Sequence, residues 1–240
     1  MKAIYEPKGA ALEYAPLACN LFRGCMHGCR YCYVPGVLRM DRQQFHAETE
    51  PRPGILEALE RDAKALNLAF DTRPVHLCFT CDPFGNHGHH EVTRNALDIL
   101  NDHDRSVIVL TKGALHASDW HKCQDADCRF GVSLVWADDA KRAEWEPHAA
   151  SVAERVNNLR VADGLGLSTW VSMEPVIEPD ECMAALELVL PYADVIKVGR
   201  WNHDKRANGV DWQAFARRIK AQLVESGKPH VLKRGLVELL

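Results

Sequence analysis

Apolar residues recur along the chain with two alternating periodicities. Short runs rich in β-branched residues are followed by longer segments in which apolar residues return at helical spacing, as at Val152, Val156 and Leu159. The pattern predicts strands at Ala18–Phe22, Val75–Thr80, Ser106–Leu110, Arg129–Leu134, Ser168–Ser172 and Val195–Val198. It predicts helices at Gly54–Asn67, Glu91–Asn101, Ser118–Asp125, Pro147–Asp163, Glu181–Leu190 and Asp211–Ser226.

This alternation of strands and helices indicates an α/β fold. Successive strand–helix units predict a parallel sheet with the helices packed outside it. Six units favour an open, partial (β/α)6 barrel of the TIM type over the closed eight-unit form. We expect a single domain over residues 1–240, with a core at about 15–200 and a basic, helical C-terminal part at about 201–240. In such a fold the chemistry is expected at the carboxyl ends of the strands.

The composition is that of a soluble globular protein. Of the 240 residues, 47% are hydrophobic and 26% are charged, and the formal net charge of −4 gives no global indication of nucleic-acid binding. No apolar run approaches the roughly 20 residues that cross a bilayer, and the N-terminus lacks the apolar core of a signal peptide. We therefore expect a cytoplasmic protein without a membrane partner. The nine cysteines are then metal ligands, catalytic thiols or core residues rather than disulfides.

Three of these cysteines lie in one short segment directly after the first predicted strand. Cys25, Cys29 and Cys32 have the spacing C-x3-C-x2-C. Three thiolates can hold one metal cluster and leave its fourth position open for chemistry. The alternative is a zinc site, whose fourth ligand would be His27 or a distant cysteine. Cys78-Phe79-Thr80-Cys81 is a further C-x2-C pair, but on a strand its two sulfurs would point to opposite faces.

The cysteine spacing, with an aromatic residue before the last cysteine, resembles the cluster loop of the radical S-adenosylmethionine (SAM) superfamily. Further segments resemble the branch related to spore photoproduct lyase, and the resemblance covers roughly residues 15–200. These segments are Cys25–Tyr33, Thr80-Cys81-Asp82-Pro83-Phe84, Thr93-Arg94, Leu110-Thr111-Lys112, Val132-Ser133-Leu134 and Glu146-Pro147.

The resemblance implies a partial barrel, two cofactors and a reaction class. Cys25, Cys29 and Cys32 would hold three irons of a 4Fe–4S cluster, and SAM would chelate the fourth. An external one-electron reductant, flavodoxin- or ferredoxin-like, would supply the electron that cleaves SAM to methionine and a 5′-deoxyadenosyl radical. That radical would abstract hydrogen from a substrate that the sequence does not identify. The alternative from another class is a non-enzymatic zinc- or Fe–S-binding module that recognises nucleic acid.

The resemblance also assigns residues to SAM. Tyr31 would lie against the adenine, and Lys112 and Ser133 would bind the carboxylate, for which a cation and a hydroxyl are suited. Thr80 and Asp82 would contact the amino group. Each position has a simpler interpretation: a loop aromatic, a solvated lysine, a serine that satisfies backbone groups, or a turn.

Two more candidates follow the fifth and sixth predicted strands. Glu174 could bind the cofactor or substrate, or form an ion pair with Lys197 or Arg200. Gly199 permits close backbone approach to the adenosine or to the substrate.

The lyase resemblance also suggests two catalytic residues, but this chain lacks a cysteine at the position where the lyase has its catalytic one. Spore photoproduct lyase returns hydrogen from a cysteine after the second strand, and counting back from Asp82 that position is Phe79 here. Cys81 is the better-placed thiol of its pair, and the alternative for it is a small buried residue. Tyr33 matches a tyrosine used in radical transfer, or it packs over the cluster. Thymine-dimer repair is therefore in doubt.

Two further motifs have an open interpretation at the level of sequence. The run Asn86-His87-Gly88-His89-His90 is either a metal-binding loop or a solvated one. Cys123 and Cys128 form a C-x4-C pair without convincing partners for a second cluster.

Charge is also uneven along the chain. Residues 197–234 hold ten Lys/Arg against three Asp/Glu, an excess of 10 − 3 = +7. Trp201 and Trp212 lie in that stretch and could stack on bases. The segment indicates either a nucleic-acid substrate or a solvated amphipathic helix.

Overall fold

The computed structural model describes residues 1–202 and 204–240. They form two compact units. Unit 1 comprises residues 1–130 and 146–150, and unit 2 comprises residues 131–145 and 151–240. The expected single domain over residues 1–240 stays a prediction.

Unit 1 contains a four-stranded sheet and a small second sheet. Its strands are β1 (Ile4–Tyr5), β2 (Leu17–Cys19), β3 (Phe22–Arg23), β4 (Glu50–Pro51), β5 (Val75–Leu77) and β6 (Val107–Thr111). The sheet order is β1-β2-β5-β6, with β1 antiparallel to β2 and the other pairs parallel. β3 and β4 pair antiparallel by themselves. The helices are α1 (Val34–Leu38), α2 (Arg42–Ala47), α3 (Ile55–Leu68), α4 (His90–Asp102) and α5 (Ala117–Asp125), with 3-10 turns at Gly9–Glu13 and His87–His89.

Unit 2 continues the alternation of strands and helices. Its strands are β7 (Arg129–Ser133, which begins at the end of unit 1), β8 (Thr169–Val176), β9 (Val195–Arg200) and β10 (His230–Leu232), in that order. β9 is parallel to both β8 and β10. The helices are α6 (Asp139–Trp145), α7 (Val152–Gly164), α8 (Pro179–Val189), α9 (Trp212–Glu225) and α10 (Arg234–Val237), with a 3-10 turn at Lys205–Gly209.

The central strands of both units are largely buried. In β5 all three residues are buried, and β8 is buried from Thr169 through Met173. Continuous burial on both faces is the mark of a parallel sheet covered by helices. The predicted α/β class with a mostly parallel sheet is confirmed.

The first predicted strand is wrong at its carboxyl end. β2 stops at Cys19, and Phe22 belongs to the small second sheet. The cause is Asn20, whose side-chain oxygen accepts hydrogen bonds from the amides of Phe79 (2.8 Å) and Thr80 (3.0 Å). The chain therefore leaves the main sheet at Asn20.

The predicted second strand also ends early, since β5 stops at Leu77. Cys78 then adopts a left-handed φ of 72° and donates its amide to the Cys19 carbonyl at 2.9 Å. Thr80 and Cys81 consequently lie in the loop after β5 and not on the strand.

The predicted helix at Pro147–Asp163 begins five residues late, at Val152. Ser151 caps it: its Oγ accepts from the Glu154 amide at 3.2 Å, and Glu154 accepts the Ser151 amide at 2.7 Å. Residues 146–150 instead form a loop of unit 1, which we call the clasp.

Among the described residues, none of the helices combines the length and apolar composition that a bilayer-spanning segment needs.

Candidate active site

The cysteine loop (Cys25–Tyr33) is held in place by α2. Gly24 enters it at a φ of 73°, and a Cβ there would collide with the Glu48 carbonyl oxygen. The Cys25 amide donates to the Phe45 carbonyl at 3.1 Å, and His46 Nδ1 lies 2.8 Å from the Cys25 carbonyl oxygen. The backbone of the first cysteine is therefore tied to the end of α2.

Arg42, the first residue of α2, ties the other two cysteines. Its guanidinium donates to the carbonyl oxygens of Cys29 at 3.1 Å and Cys32 at 2.6 Å. The Cys32 amide also donates to the Cys29 carbonyl at 3.1 Å. None of the three cysteines forms a disulfide, so the loop shape is set by these hydrogen bonds.

The environment of these thiols fits a metal cluster. Burial, followed by the negative charge of Asp82, raises the pKa of Cys25 well above its ordinary value. Burial also raises the pKa of Cys32, although Lys112 and Arg42 oppose the rise. A buried thiolate needs nearby positive charge, which a bound metal supplies.

The cysteine loop supplies three thiol ligands. A closed structural zinc site requires four ligands, whereas a cluster with an open position requires three from the protein.

Asp82 is buried at the centre of a network that joins the loops after β5 and β6. Its Oδ1 accepts from Thr111 Oγ1 at 2.6 Å and from the Phe84 amide at 2.9 Å, and its Oδ2 accepts from the Lys112 amide at 2.7 Å. His27 Nε2 lies 3.0 Å from the same Oδ2. Burial alone would raise the pKa of Asp82, but His27 and these donors hold it well below its ordinary value. Both oxygens already accept hydrogen bonds from the protein.

The clasp closes over the cysteine loop within unit 1. The Tyr31 hydroxyl donates to the fully buried Glu146 carboxylate, and the His148 amide donates to the His27 carbonyl at 3.2 Å. At its other end, the Ala150 amide donates to the Lys112 carbonyl at 2.8 Å. Tyr31 is also approached by Lys112, whose Nζ lies 5.9 Å from the ring centroid. The clasp thus connects the cysteine loop, which contains Tyr31, to Lys112. These are the residues predicted to contact the adenine and the carboxylate of SAM.

The remaining predicted residues of unit 1 have different exposures. Thr80 and Cys81 are half-buried, and the Cys81 thiol is hydrogen-bonded to that of Cys78, whose pKa is raised above all by burial. Tyr33, by contrast, is 61% exposed.

Three predicted residues belong to unit 2. Ser133 is buried at the end of β7, and its carbonyl accepts from Arg155 Nη1 at 3.0 Å. Glu174 forms an ion pair with Lys233, a partner that the sequence did not suggest. A Cβ at Gly199 would lie 2.6 Å from Glu174 Oε1. The missing side chain of Gly199 therefore makes room for this glutamate.

The C-x4-C pair and the two tryptophans of the basic stretch are buried. Cys123 and Cys128 hydrogen-bond to each other. Trp201 is 6% exposed and Trp212 9%, and the Trp212 indole donates to Ala207. Neither ring therefore offers an open surface for stacking on a base.

Sequence reasoning gave no role to the residues that position the candidate site, although Thr111 and Glu146 lie in segments that carry the resemblance. They contribute tertiary hydrogen bonds, which have no periodicity or motif spacing to reveal them. They are Asn20, Arg42, His46, Thr111 and Glu146.

The chain matches the model of one known protein family. The model of the radical SAM superfamily matches residues 19–189, more than two thirds of the chain. No curated protein matches the chain significantly.

Solved structures give a matching fold. A spore photoproduct lyase variant with bound AdoMet and dinucleoside spore photoproduct is 16% identical, with a TM-score of 0.68 over 90% of this chain and 63% of the lyase. Another variant of that lyase is 13% identical, with a TM-score of 0.72 over 95% of this chain and 78% of the other. SuiB of Streptococcus suis, bound to S-adenosylmethionine, is 10% identical, with a TM-score of 0.64 over 90% of this chain and 46% of SuiB. The chain thus spans about half of SuiB and under two thirds of the first lyase chain. At these identities the likeness concerns the fold, and the predicted partial barrel is consistent with it.

Proposed function

Because the chain belongs to the radical SAM superfamily, we propose that it is a radical SAM enzyme of the spore photoproduct lyase-like branch. The cofactors of this family are a 4Fe–4S cluster and SAM. The observation that carries the proposal is the cysteine loop of unit 1, whose three cysteines form no disulfide, and the clasp that joins its Tyr31 to Lys112.

When bound, the two cofactors supply reductive cleavage of SAM and a 5′-deoxyadenosyl radical for hydrogen abstraction. The protein residues hold and orient them. Cys25, Cys29 and Cys32 ligate three irons, and Tyr31 supports the adenine with its hydroxyl fixed by Glu146. The Lys112 ammonium group attracts the SAM carboxylate by its opposite charge. The amide and the carbonyl of Lys112 are both hydrogen-bonded, which fixes the point from which the side chain extends.

The other SAM assignments remain part of the proposal, with one change of role. Thr80 and Ser133 offer hydroxyls to the amino and carboxylate groups. Asp82 acts as a positioning residue, because its oxygens already accept four contacts from unit 1. Glu174 and Gly199 remain candidate cofactor contacts of unit 2, and Lys233 forms an ion pair with the glutamate.

For the substrate step we assign Cys81 as the hydrogen donor and Tyr33 as its relay. The half-burial of Cys81 and the exposure of Tyr33 leave both side chains accessible to a substrate. An external one-electron reductant, flavodoxin- or ferredoxin-like, serves the cluster, as radical SAM enzymes require. A cytoplasmic location is supported by nine cysteines of which none forms a disulfide.

We further propose a nucleic acid or nucleotide as the substrate. Exposed cations on α9 and on the turn before it, among them Lys205, Arg217 and Lys220, support this. A polar cavity of about 330 Å³ in unit 2, lined by Arg200 and Asn202 among others, offers room for part of such a molecule. The lyase with a similar fold was solved with a dinucleoside photoproduct.

The test is anaerobic reconstitution with iron and sulfide, followed by reduction with dithionite in the presence of SAM. We expect about four irons per chain and formation of 5′-deoxyadenosine, measured by liquid chromatography. Cys29→Ala should lower 5′-deoxyadenosine formation at least 100-fold, because one iron loses its ligand. Cys182→Ala, a buried cysteine of α8, is the matched control and should keep wild-type activity.

Two results would contradict the proposal. A chain with a full cluster that leaves SAM intact would refute the enzyme. Zinc bound in place of iron and sulfide would instead support the non-enzymatic nucleic-acid-binding module.

A further inference from the structure

A second group of possible metal ligands lies in unit 1, outside the cysteine loop. The ligand nitrogens of His87, His90 and His116 all lie within 4.8 Å of one another, and we call these residues the histidine cluster. His87 lies in the 3-10 turn after the Asp82 loop, His90 is the first residue of α4, and His116 precedes α5. Among the described residues this is the one His/Cys/Asp/Glu group of such compactness.

Two of the nitrogens have the separation that a shared ion requires. His87 Nδ1 and His116 Nε2 are 3.0 Å apart, and their ring centroids are 4.8 Å apart. Ligands at about 2.1 Å from one ion are about 3.0 Å apart at a right angle and about 3.4 Å apart in a tetrahedron. Both side chains are exposed, so an ion can reach them from solvent.

His90 is buried and is oriented by a carboxylate. Its Nδ1 lies 2.8 Å from Asp119 Oδ2, and that oxygen also accepts the His116 amide at 2.8 Å. Arg94 donates to the other oxygen of Asp119 at 2.7 Å. Asp119 therefore fixes one ring directly and holds the backbone of the next ligand.

The second nitrogen of His90 faces another acceptor. Its Nε2 lies 3.1 Å from the Phe84 carbonyl oxygen, so an ion bound at Nε2 takes the place of this contact. A carboxylate that accepts from one ring nitrogen is the usual second partner of a metal-bound histidine.

From this geometry we propose that the histidine cluster binds one zinc-type divalent transition ion. His87, His90 and His116 are the protein ligands, water completes the coordination, and Asp119 orients His90. Imidazole is a preferred ligand of such ions. The ion fastens the turn after the Asp82 loop to the start of α5.

The test uses the full chain with its 4Fe–4S cluster loaded, so that iron occupies the cysteine loop. Zinc is added anaerobically, the chain is desalted, and zinc and iron are counted by mass spectrometry. We expect about one zinc per chain. Its X-ray absorption spectrum should show only nitrogen and oxygen ligands at about 2.0–2.1 Å, and no sulfur at about 2.3 Å.

Variants separate the histidine cluster from other zinc sites. The double variant H87Q/H116Q should lose zinc binding at least 100-fold, while His121→Gln, an exposed histidine of α5, should bind zinc as the wild type does. Asp119→Asn, in chains that melt as the wild type does, should weaken binding about 10–100-fold. Unchanged zinc in the double variant, or a sulfur shell in the spectrum, would overturn the proposal.

The histidine cluster is independent of the proposed enzyme activity. The triple variant C25A/C29A/C32A, which has no cluster ligands in the cysteine loop, should still bind about one zinc through nitrogen. Failure of SAM cleavage and failure of this site are therefore separate results.

Discussion

At the scale of single residues, Asp82 decides how the candidate site is organised. A carboxylate at the end of a predicted strand suggests a ligand contact, but its oxygens instead accept from Thr111, Phe84 and Lys112 and contact His27. It fixes the backbone from which Lys112 extends. We therefore propose that Asp82 contributes to SAM binding indirectly, through the position of Lys112.

The variant Asp82→Asn tests this role. In the variant, an NH2 group replaces one carboxylate oxygen of Asp82. It faces hydrogen-bond donors of the network, which lose their acceptor, and the negative charge beside His27 is also lost. We expect the free energy of unfolding to fall by roughly 3–5 kcal/mol, which lowers Tm by about 2–4 °C for each kcal/mol.

The comparison for that measurement is Asp180→Asn. Asp180 is an 86% exposed carboxylate paired with Arg218, and exposed pairs contribute about 0–1 kcal/mol. Equal melting of the two variants, followed anaerobically by circular dichroism, would contradict a structural role for Asp82.

Motif positions could be predicted from the sequence, and their supporting contacts could not. The spacing of Cys25, Cys29 and Cys32 is local, so it is visible in the chain itself. The carboxylate that accepts the Tyr31 hydroxyl belongs to Glu146, 115 residues away. A contact of that separation leaves no pattern in a single sequence.

At the scale of elements, periodicity located every predicted helix but misplaced some ends. α7 begins at its Ser151 cap and not at Pro147, because the clasp has its own partners in unit 1. Short elements such as β1, β4, β10 and α2 were missed, since two to six residues carry too little periodicity. One of them, α2, positions all three cysteines.

The link between α3 and β1 gives a prediction with a pH dependence. Asp62 of α3 accepts the amides of Ala3 at 2.7 Å and Ile4 at 3.1 Å, which holds β1 to the unit. Burial by itself raises the pKa of Asp62, but these amides and Arg61 hold it below the ordinary value of 3.8. Asp62 therefore stabilises the fold above pH 3.8, and that stability is lost as the pH falls through the folded-state pKa.

We expect Asp62→Asn to lower the free energy of unfolding at pH 7 by about 1.5–3 kcal/mol. The difference from the wild type should shrink as the pH falls below about 4. Urea unfolding at pH 7 and pH 3 measures it. Asp98→Asn, which breaks a half-exposed pair with Lys122, should give a small difference at pH 7. A constant difference at both pH values would argue against the Asp62 linkage.

At the scale of the whole molecule, the charge of the chain is divided by sequence position. Residues 197–234 carry +7, so the remaining residues carry −4 − 7 = −11. Several of these cations have acidic partners in the fold, such as Arg206 with Asp204 and Lys233 with Glu174. Arg217 and Lys220 are exposed on α9 and are suited to contact phosphates.

If the substrate is a nucleic acid, affinity for single-stranded DNA should fall steeply with salt. The slope of log K against log salt is about −0.7 for each phosphate neutralised. The double variant R217Q/K220Q should therefore make the slope shallower by about 1.4. Lys64→Gln, an exposed lysine of α3, should leave the slope unchanged. Fluorescence anisotropy measures both, and binding insensitive to salt would count against this substrate.

The clasp has a consequence for how the chain is made. Residues 146–150 belong to unit 1, although the chain on both sides of them belongs to unit 2. A ribosome that has translated residues 1–130 has produced Cys25, Cys29 and Cys32 but not Glu146, the acceptor for Tyr31. At about 5–20 residues per second, residues 131–150 take about 1–4 s to appear. During that interval the cysteine loop lacks the clasp, so we expect the proposed cluster to be assembled after residue 150 has been made.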